Sequence, residues 1–191
     1  MDTITLDLKG IVQLTDEQFW QLCQHNRDYR FERTVLGEIL IMSPTGGETS
    51  NRNADLIYQL QAWNRKHNLG VVFDSSGGFK LPNNADRSPD ASWITKERWD
   101  TLTLQQKQKF VPLCPDFVIE LRSPTDSLKK LQAKMQEYQE NGASLGWLID
   151  RQNRRIERYR QGKPVEILEF PTTLSGEEVL PGFVLDLRTI W

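Results

Sequence analysis

Pro115-Asp116-Phe117-Val118-Ile119-Glu120-Leu121-Arg122 is the stretch on which the reading of this chain turns. From Phe117 to Leu121 every residue but Glu120 is apolar, the pattern of a strand covered on both faces. A carboxylate in such a strand is costly unless it is paired or holds a metal. Downstream, Asp126 to Asn141 carries Leu128, Leu131, Met135 and Tyr138 at helical spacing, with Gly142 as its cap. Leu145-Gly146-Trp147-Leu148-Ile149-Asp150 then reads as a second buried strand. Strand, helix and strand in that order predict parallel neighbours. Upstream, Ser88-Pro89-Asp90-Ala91-Ser92-Trp93-Ile94 is a short strand with a second carboxylate, Asp90, at its start.

Further out, Thr15 caps a first helix with Phe19, Leu22 and Cys23 at helical spacing. Tyr29 to Ile41 reads as a β-hairpin turning at Gly37-Glu38 and ending at Met42-Ser43-Pro44. Glu48 to His67 is the strongest helix, with Leu56, Ile57, Leu60 and Trp63 on one side, and Asn68-Leu69-Gly70 stops it with the glycine as C-cap. Gly70 to Leu81 supplies strand material, and the stretch to Phe110 is irregular with helical character. Arg154 to Tyr159 and Val165 to Phe170 form a hairpin around Gly162-Lys163-Pro164, and short strands finish the chain. This order predicts an α/β or α+β fold with a mixed sheet.

The 191 residues are expected to form one domain, 1–191, with no internal linker. Lys and Arg number 24 against 26 Asp and Glu, which excludes a protein that coats nucleic acid by net charge alone. Any such contact has to be local, and the hairpin with Arg151, Arg154, Arg155, Arg158, Arg160 and Lys163 is one candidate stripe. Cys23 and Cys114 are far apart, and His25 and His67 are the only histidines, so a zinc site is not expected. The first residues lack the pattern of a signal peptide, and no apolar run is long enough to span a membrane. A cytoplasmic location is the expectation.

Asp90 and Glu120 are the carboxylates that do not suit their surroundings. Two carboxylates and a strand carbonyl, that of Leu121, are hard oxygen ligands suited to Mg²⁺ beside a phosphate. Glu120 and Arg122 stand two apart in the strand reading, on one face, which would put a cation beside the pair.

Ser88-Pro89-Asp90, followed by Pro115-Asp116-Phe117-Val118-Ile119-Glu120-Leu121-Arg122-Ser123-Pro124, resembles the PD-(D/E)XK restriction-endonuclease-like superfamily. Within it the chain resembles the Uma family of restriction-endonuclease-like proteins. The likeness also covers Tyr29-Arg30-Phe31-Glu32, Gly37-Glu38, Met42-Ser43-Pro44, and Lys134, Tyr138 and Gly142 ahead of Gly146-Trp147-Leu148-Ile149-Asp150. The resemblance implies a mixed central β-sheet flanked by helices and an endonuclease that hydrolyses DNA with Mg²⁺ or Mn²⁺ at Asp90 and Glu120. It implies Glu32 as an upstream acid of the metal site, bound directly or through water, and a homodimer able to cut both strands.

This sequence departs from the family pattern at two places. Arg122 stands where the motif has lysine and cannot serve as a general base. Lys134, about 80° from the centre of the apolar seam of its helix, is the candidate for a relocated catalytic lysine. Early in the helix after Met42-Ser43-Pro44, where many family members carry a histidine, this chain has Asn51 and Asn53. The same residues allow two rival readings. One is a catalytically inactive module of the same fold that binds DNA or protein. The other is glycoside cleavage by the two carboxylates, for which the aromatic sugar platform is lacking.

Overall fold

The structure is a computed structural model that describes residues 3–191. In chain order its elements are β1 (Ile4–Leu6), α1 (Asp16–His25), β2 (Arg30–Arg33), β3 (Ile39–Met42), α2 (Gly47–His67), β4 (Gly70–Asp74), β5 (Phe79–Lys80), β6 (Asp86–Arg87) and β7 (Ala91–Thr95). There follow α3 (Lys96–Asp100), α4 (Leu104–Lys107), β8 (Phe117–Leu121), α5 (Leu128–Glu140), β9 (Leu145–Asp150), β10 (Arg155–Arg160), β11 (Glu166–Glu169), β12 (Thr173–Ser175) and β13 (Val184–Asp186). No helix among the described residues is long and apolar enough to cross a membrane.

The central sheet has the order β11-β10-β9-β8-β7-β4. It is mixed: β8 and β9 run parallel, with Phe117 beside Leu145 and Leu121 beside Ile149, and all other neighbours are antiparallel. The parallel pair follows from the α5 crossover, as a strand–helix–strand unit requires. All residues of β8 and β9 are buried, which is why both read as nearly unbroken apolar runs. On one face Phe117, Ile119, Trp147 and Ile149 pack against Leu56, Leu60 and Trp63 of α2 and against the C-terminal segment. On the other, Val118 and Leu148 pack against Met135 and Tyr138 of α5. Gly146 lets that helix come close, since a Cβ there would stand 2.5 Å from the Met135 methyl carbon.

A second sheet, of order β1-β3-β2-β6-β5, is antiparallel throughout. The hairpin expected after Tyr29 lies here, apart from the central sheet, and closes through Gly37 at φ +84°.

Three expectations need correction. Asn68, not Gly70, ends α2, adopting φ 53°, a left-handed conformation that asparagine tolerates better than most side chains. Gly70 instead opens β4 where an added Cβ would collide with the Ile94 carbonyl oxygen and the Trp93 ring. The helix expected from Asp126 starts at Leu128 with Ser127 as N-cap, and Asp126 accepts the Ser123 N–H instead. Finally, β8 ends at Leu121, so Arg122 lies beyond the strand.

Candidate active site

Ala91 pairs with Ile119 across β7 and β8. One step further along this register, Asp90 stands opposite Glu120, where facing side chains are neighbours. The Asp90 carboxylate is held at both oxygens. Its Oδ2 accepts the Leu121 N–H at 2.8 Å and its Oδ1 accepts the Asn53 side-chain amide at 3.2 Å. In a strand the N–H and C=O of one residue point to the same side, so the Leu121 carbonyl is directed toward the same edge as Asp90.

Lys134 and Tyr138 are four apart on α5 and share a face. Both reach the same atom: Glu120 Oε1 lies 2.8 Å from Lys134 Nζ and accepts the Tyr138 hydroxyl at 3.1 Å. Lys134 Nζ also lies 2.8 Å from Glu32 Oε1, in the other sheet. Glu32 is further bound by the Ser88 N–H at 2.9 Å and by Arg87 Nη1 at 3.2 Å. Arg87 in turn donates to Glu137 Oε2 at 2.5 Å. A buried chain of alternating charge therefore runs Glu137, Arg87, Glu32, Lys134, Glu120.

Burial pushes the Glu120 carboxyl up to about 7; Lys134 works against this, while Asp90 and Glu32 reinforce it. Asp90 is also raised by burial, partly offset by the Leu121 N–H and the charge of Lys134. For Glu32 burial again opposes charge, but Lys134 and Arg87 outweigh it and hold the carboxyl below its usual range. Lys134 is desolvated too, yet its two carboxylates raise it above the ordinary lysine value. Without further partners, the site holds a charged lysine between an ionised Glu32 and a Glu120 reluctant to ionise.

Among the sequence candidates, the structure brings Asp90, Glu120, Leu121, Lys134 and Glu32 together. Arg122 is directed elsewhere. Its Nη1 binds Asp150 Oδ2 at 2.9 Å and its Nε binds the Asp126 carbonyl at 3.2 Å. Glu32 takes neither Arg30 nor Arg33 as its partner; Arg33 binds Asp86 and Asp16. The basic hairpin is largely neutralised. Arg151 pairs with Glu48, Arg155 with Glu157 and Glu169, and both Arg158 and Arg160 with Glu166 and Glu177.

Asn53 is the residue that sequence reasoning did not place in the site. It stands where the family pattern has histidine, and a single polar residue on an amphipathic helix gives no periodic signal. Its Oδ1 is buried and has no hydrogen-bond partner. An unsatisfied oxygen beside Asp90 suits a hydrogen bond from the water of a hydrated cation. Among the described residues no group of three or more His, Cys, Asp and Glu side chains converges as a metal cage. The donors are two carboxylates and a carbonyl, a set that fits Mg²⁺ or Mn²⁺ retaining several waters and does not fit zinc.

Comparison with known proteins bears on the fold and the family. No curated protein matches the chain. Among solved structures, a crystal structure described as a putative nuclease belonging to DUF820, from Anabaena variabilis, superposes with a TM-score of 0.76 at 18% identity. The match covers 93% of this chain and 97% of that one, so the two share a fold from end to end. The Uma2 family, described as "Putative restriction endonuclease", matches residues 16–188. With the mixed sheet, the paired carboxylates and the full-length fold match in hand, the chain belongs to the Uma2 family of restriction-endonuclease-like proteins.

Proposed function

We propose that the protein is a Mg²⁺- or Mn²⁺-dependent endonuclease that hydrolyses DNA phosphodiester bonds. The observation that carries this reading is Lys134 Nζ at 2.8 Å from Glu120 Oε1, a lysine delivered from a helix to the carboxylate pair. Asp90, Glu120 and the Leu121 carbonyl would hold the divalent cation. When bound, such a cation supplies Lewis-acid polarisation of a phosphoryl oxygen and an activated water. Glu120 would offer Oε2, since Oε1 is engaged by Lys134 and Tyr138. Glu32 has its oxygens taken by Lys134, Ser88 and Arg87, so it would act on the cation through Lys134 and not as a ligand. Lys134 works as an ammonium, kept charged by Glu32 and Glu120, and stabilises negative charge gathering on the phosphate. Arg122 takes no part in proton transfer, its guanidinium being held by Asp150 and the Asp126 carbonyl.

A homodimer would bring two such sites to the two strands of a duplex; light scattering on the purified protein measures this directly. The activity is tested with plasmid, linear duplex and single-stranded DNA in Mg²⁺, Mn²⁺ or EDTA. The expected result is cleavage that needs the metal and disappears in Asp90→Asn. Absence of cleavage on every substrate with either metal would instead establish an inactive DNA- or protein-binding member of the fold. Hydrolysis persisting in EDTA would overturn the metal site.

A further inference from the structure

We propose that Arg30 is a phosphate contact of the active site, receiving a DNA phosphate beside the Asp90–Glu120 pair. The inference rests on the nuclease reading and adds a substrate-binding residue to it.

Arg30 and Glu32 are two apart in β2 and project from the same face. That face is the one from which Glu32 meets Lys134. The far end of the arginine is located independently. Its Nη2 donates to the carbonyl oxygen of Ser75. In the β4–β7 register Asp74 pairs with Ala91, and Ser75 directly follows the end of β4 across from the start of β7. The guanidinium is thus anchored at the end of β4, beside the start of β7 into which Asp90 leads.

Charge accounting separates Arg30 from the other cations here. Lys134 lies between Glu32 and Glu120, Arg87 between Glu32 and Glu137, and Arg122 is paired with Asp150. Arg30 forms no ion pair with any described carboxylate. It is half-buried and directed toward a site whose substrate is an anion. Of its five N–H donors only one is engaged, by a neutral carbonyl. The remaining fork matches two oxygens of a phosphate. A purely structural tie to Ser75 would need one donor and no charge.

The test measures affinity for a fluorescent duplex oligonucleotide by anisotropy in EDTA across a salt series, for the wild type, Arg30→Met and Arg30→Lys. Thermal unfolding of each checks the fold, and if the methionine variant does not fold, Arg30→Gln replaces it. The expected loss for Arg30→Met is about tenfold in affinity. The slope of log K against log salt should fall by about one, the mark of one phosphate contact removed. Arg30→Lys should keep the slope while recovering only part of the affinity. Wild-type affinity and slope in Arg30→Met would refute the inference and leave the nuclease reading standing. A weaker binder with an unchanged slope would also refute it, assigning Arg30 to loop packing. A wild type that neither binds DNA nor cuts it with Mg²⁺ or Mn²⁺ would remove the nuclease reading, and this inference with it.

Discussion

Glu120→Gln should make the metal-free protein more stable, although it destroys the site. The amide keeps the shape of the side chain and can still accept from Lys134 and Tyr138, but it never ionises. In the wild type the folded environment moves this carboxyl from the ordinary 4.5 to about 7. At about 1.4 kcal/mol per unit, holding the ionised form in the fold costs roughly 3 kcal/mol. A raised acid stabilises the fold below its unfolded value of 4.5, and that contribution is lost as the pH climbs through about 7. The gain from the substitution should therefore be absent at about pH 4 and complete at about pH 8. In a chain of this size it corresponds to roughly 6–12 °C in Tm. Urea denaturation in EDTA at several pH values measures it. Added Mn²⁺ should then stabilise the wild type and leave the variant unmoved. A variant less stable than the wild type at high pH, or a gain that does not change with pH, would refute the electrostatic account of this site.

Other outcomes follow from the same geometry. Because Glu120 ionises near pH 7, the calorimetric Mn²⁺ affinity should fall about tenfold per unit as the pH drops below that point; a flat profile would exclude Glu120 as a ligand. Lys134→Ala should lower turnover by roughly 10²–10⁴ and, by leaving Glu32 and Glu120 buried without their cation, destabilise the fold by roughly 3–5 kcal/mol. Full activity in that variant would refute Lys134 as the catalytic cation. Arg122→Ala strands the buried Asp150 and should cost roughly 3–5 kcal/mol in urea denaturation, with turnover affected less than by Lys134→Ala; the reverse ranking would contradict the placement of the two cations. Gly70→Ala should cost about 3 kcal/mol through its collision with Ile94 and Trp93, and wild-type stability in that variant would show that β4 can shift.

The parallel β8–β9 pair was legible because both strands are buried on both faces and leave an almost unbroken apolar record. The facing of Asp90 and Glu120 could be anticipated for the same reason: a carboxylate in such a record stands out. What escaped depended on contacts between residues distant in sequence. Arg122 reads as a neighbour of Glu120 only while the strand continues. The strand stops at Leu121, and the buried carboxylate of Asp150, 28 residues away, claims the guanidinium. The basic hairpin looks like a phosphate track until Glu166, Glu169 and Glu177 fold back onto it. Lys134 could be placed at the border of the core from its helical angle, but its second carboxylate comes from a separate sheet, which no local pattern records.

That two-sheet origin has a thermal consequence. Glu120 belongs to the central sheet and Glu32 to the smaller one, and the ammonium of Lys134 is a rivet between them. The two sheets can loosen against each other while each keeps its own ladder of hydrogen bonds, since partial openings cost less than complete unfolding. Any such loosening pulls the lysine away from the carboxylate it serves. Heating should therefore abolish the proposed cleavage several degrees before the bulk of the secondary structure melts, because the candidate site lies in the seam and the hydrogen-bonded ladders lie in the slabs on either side of it.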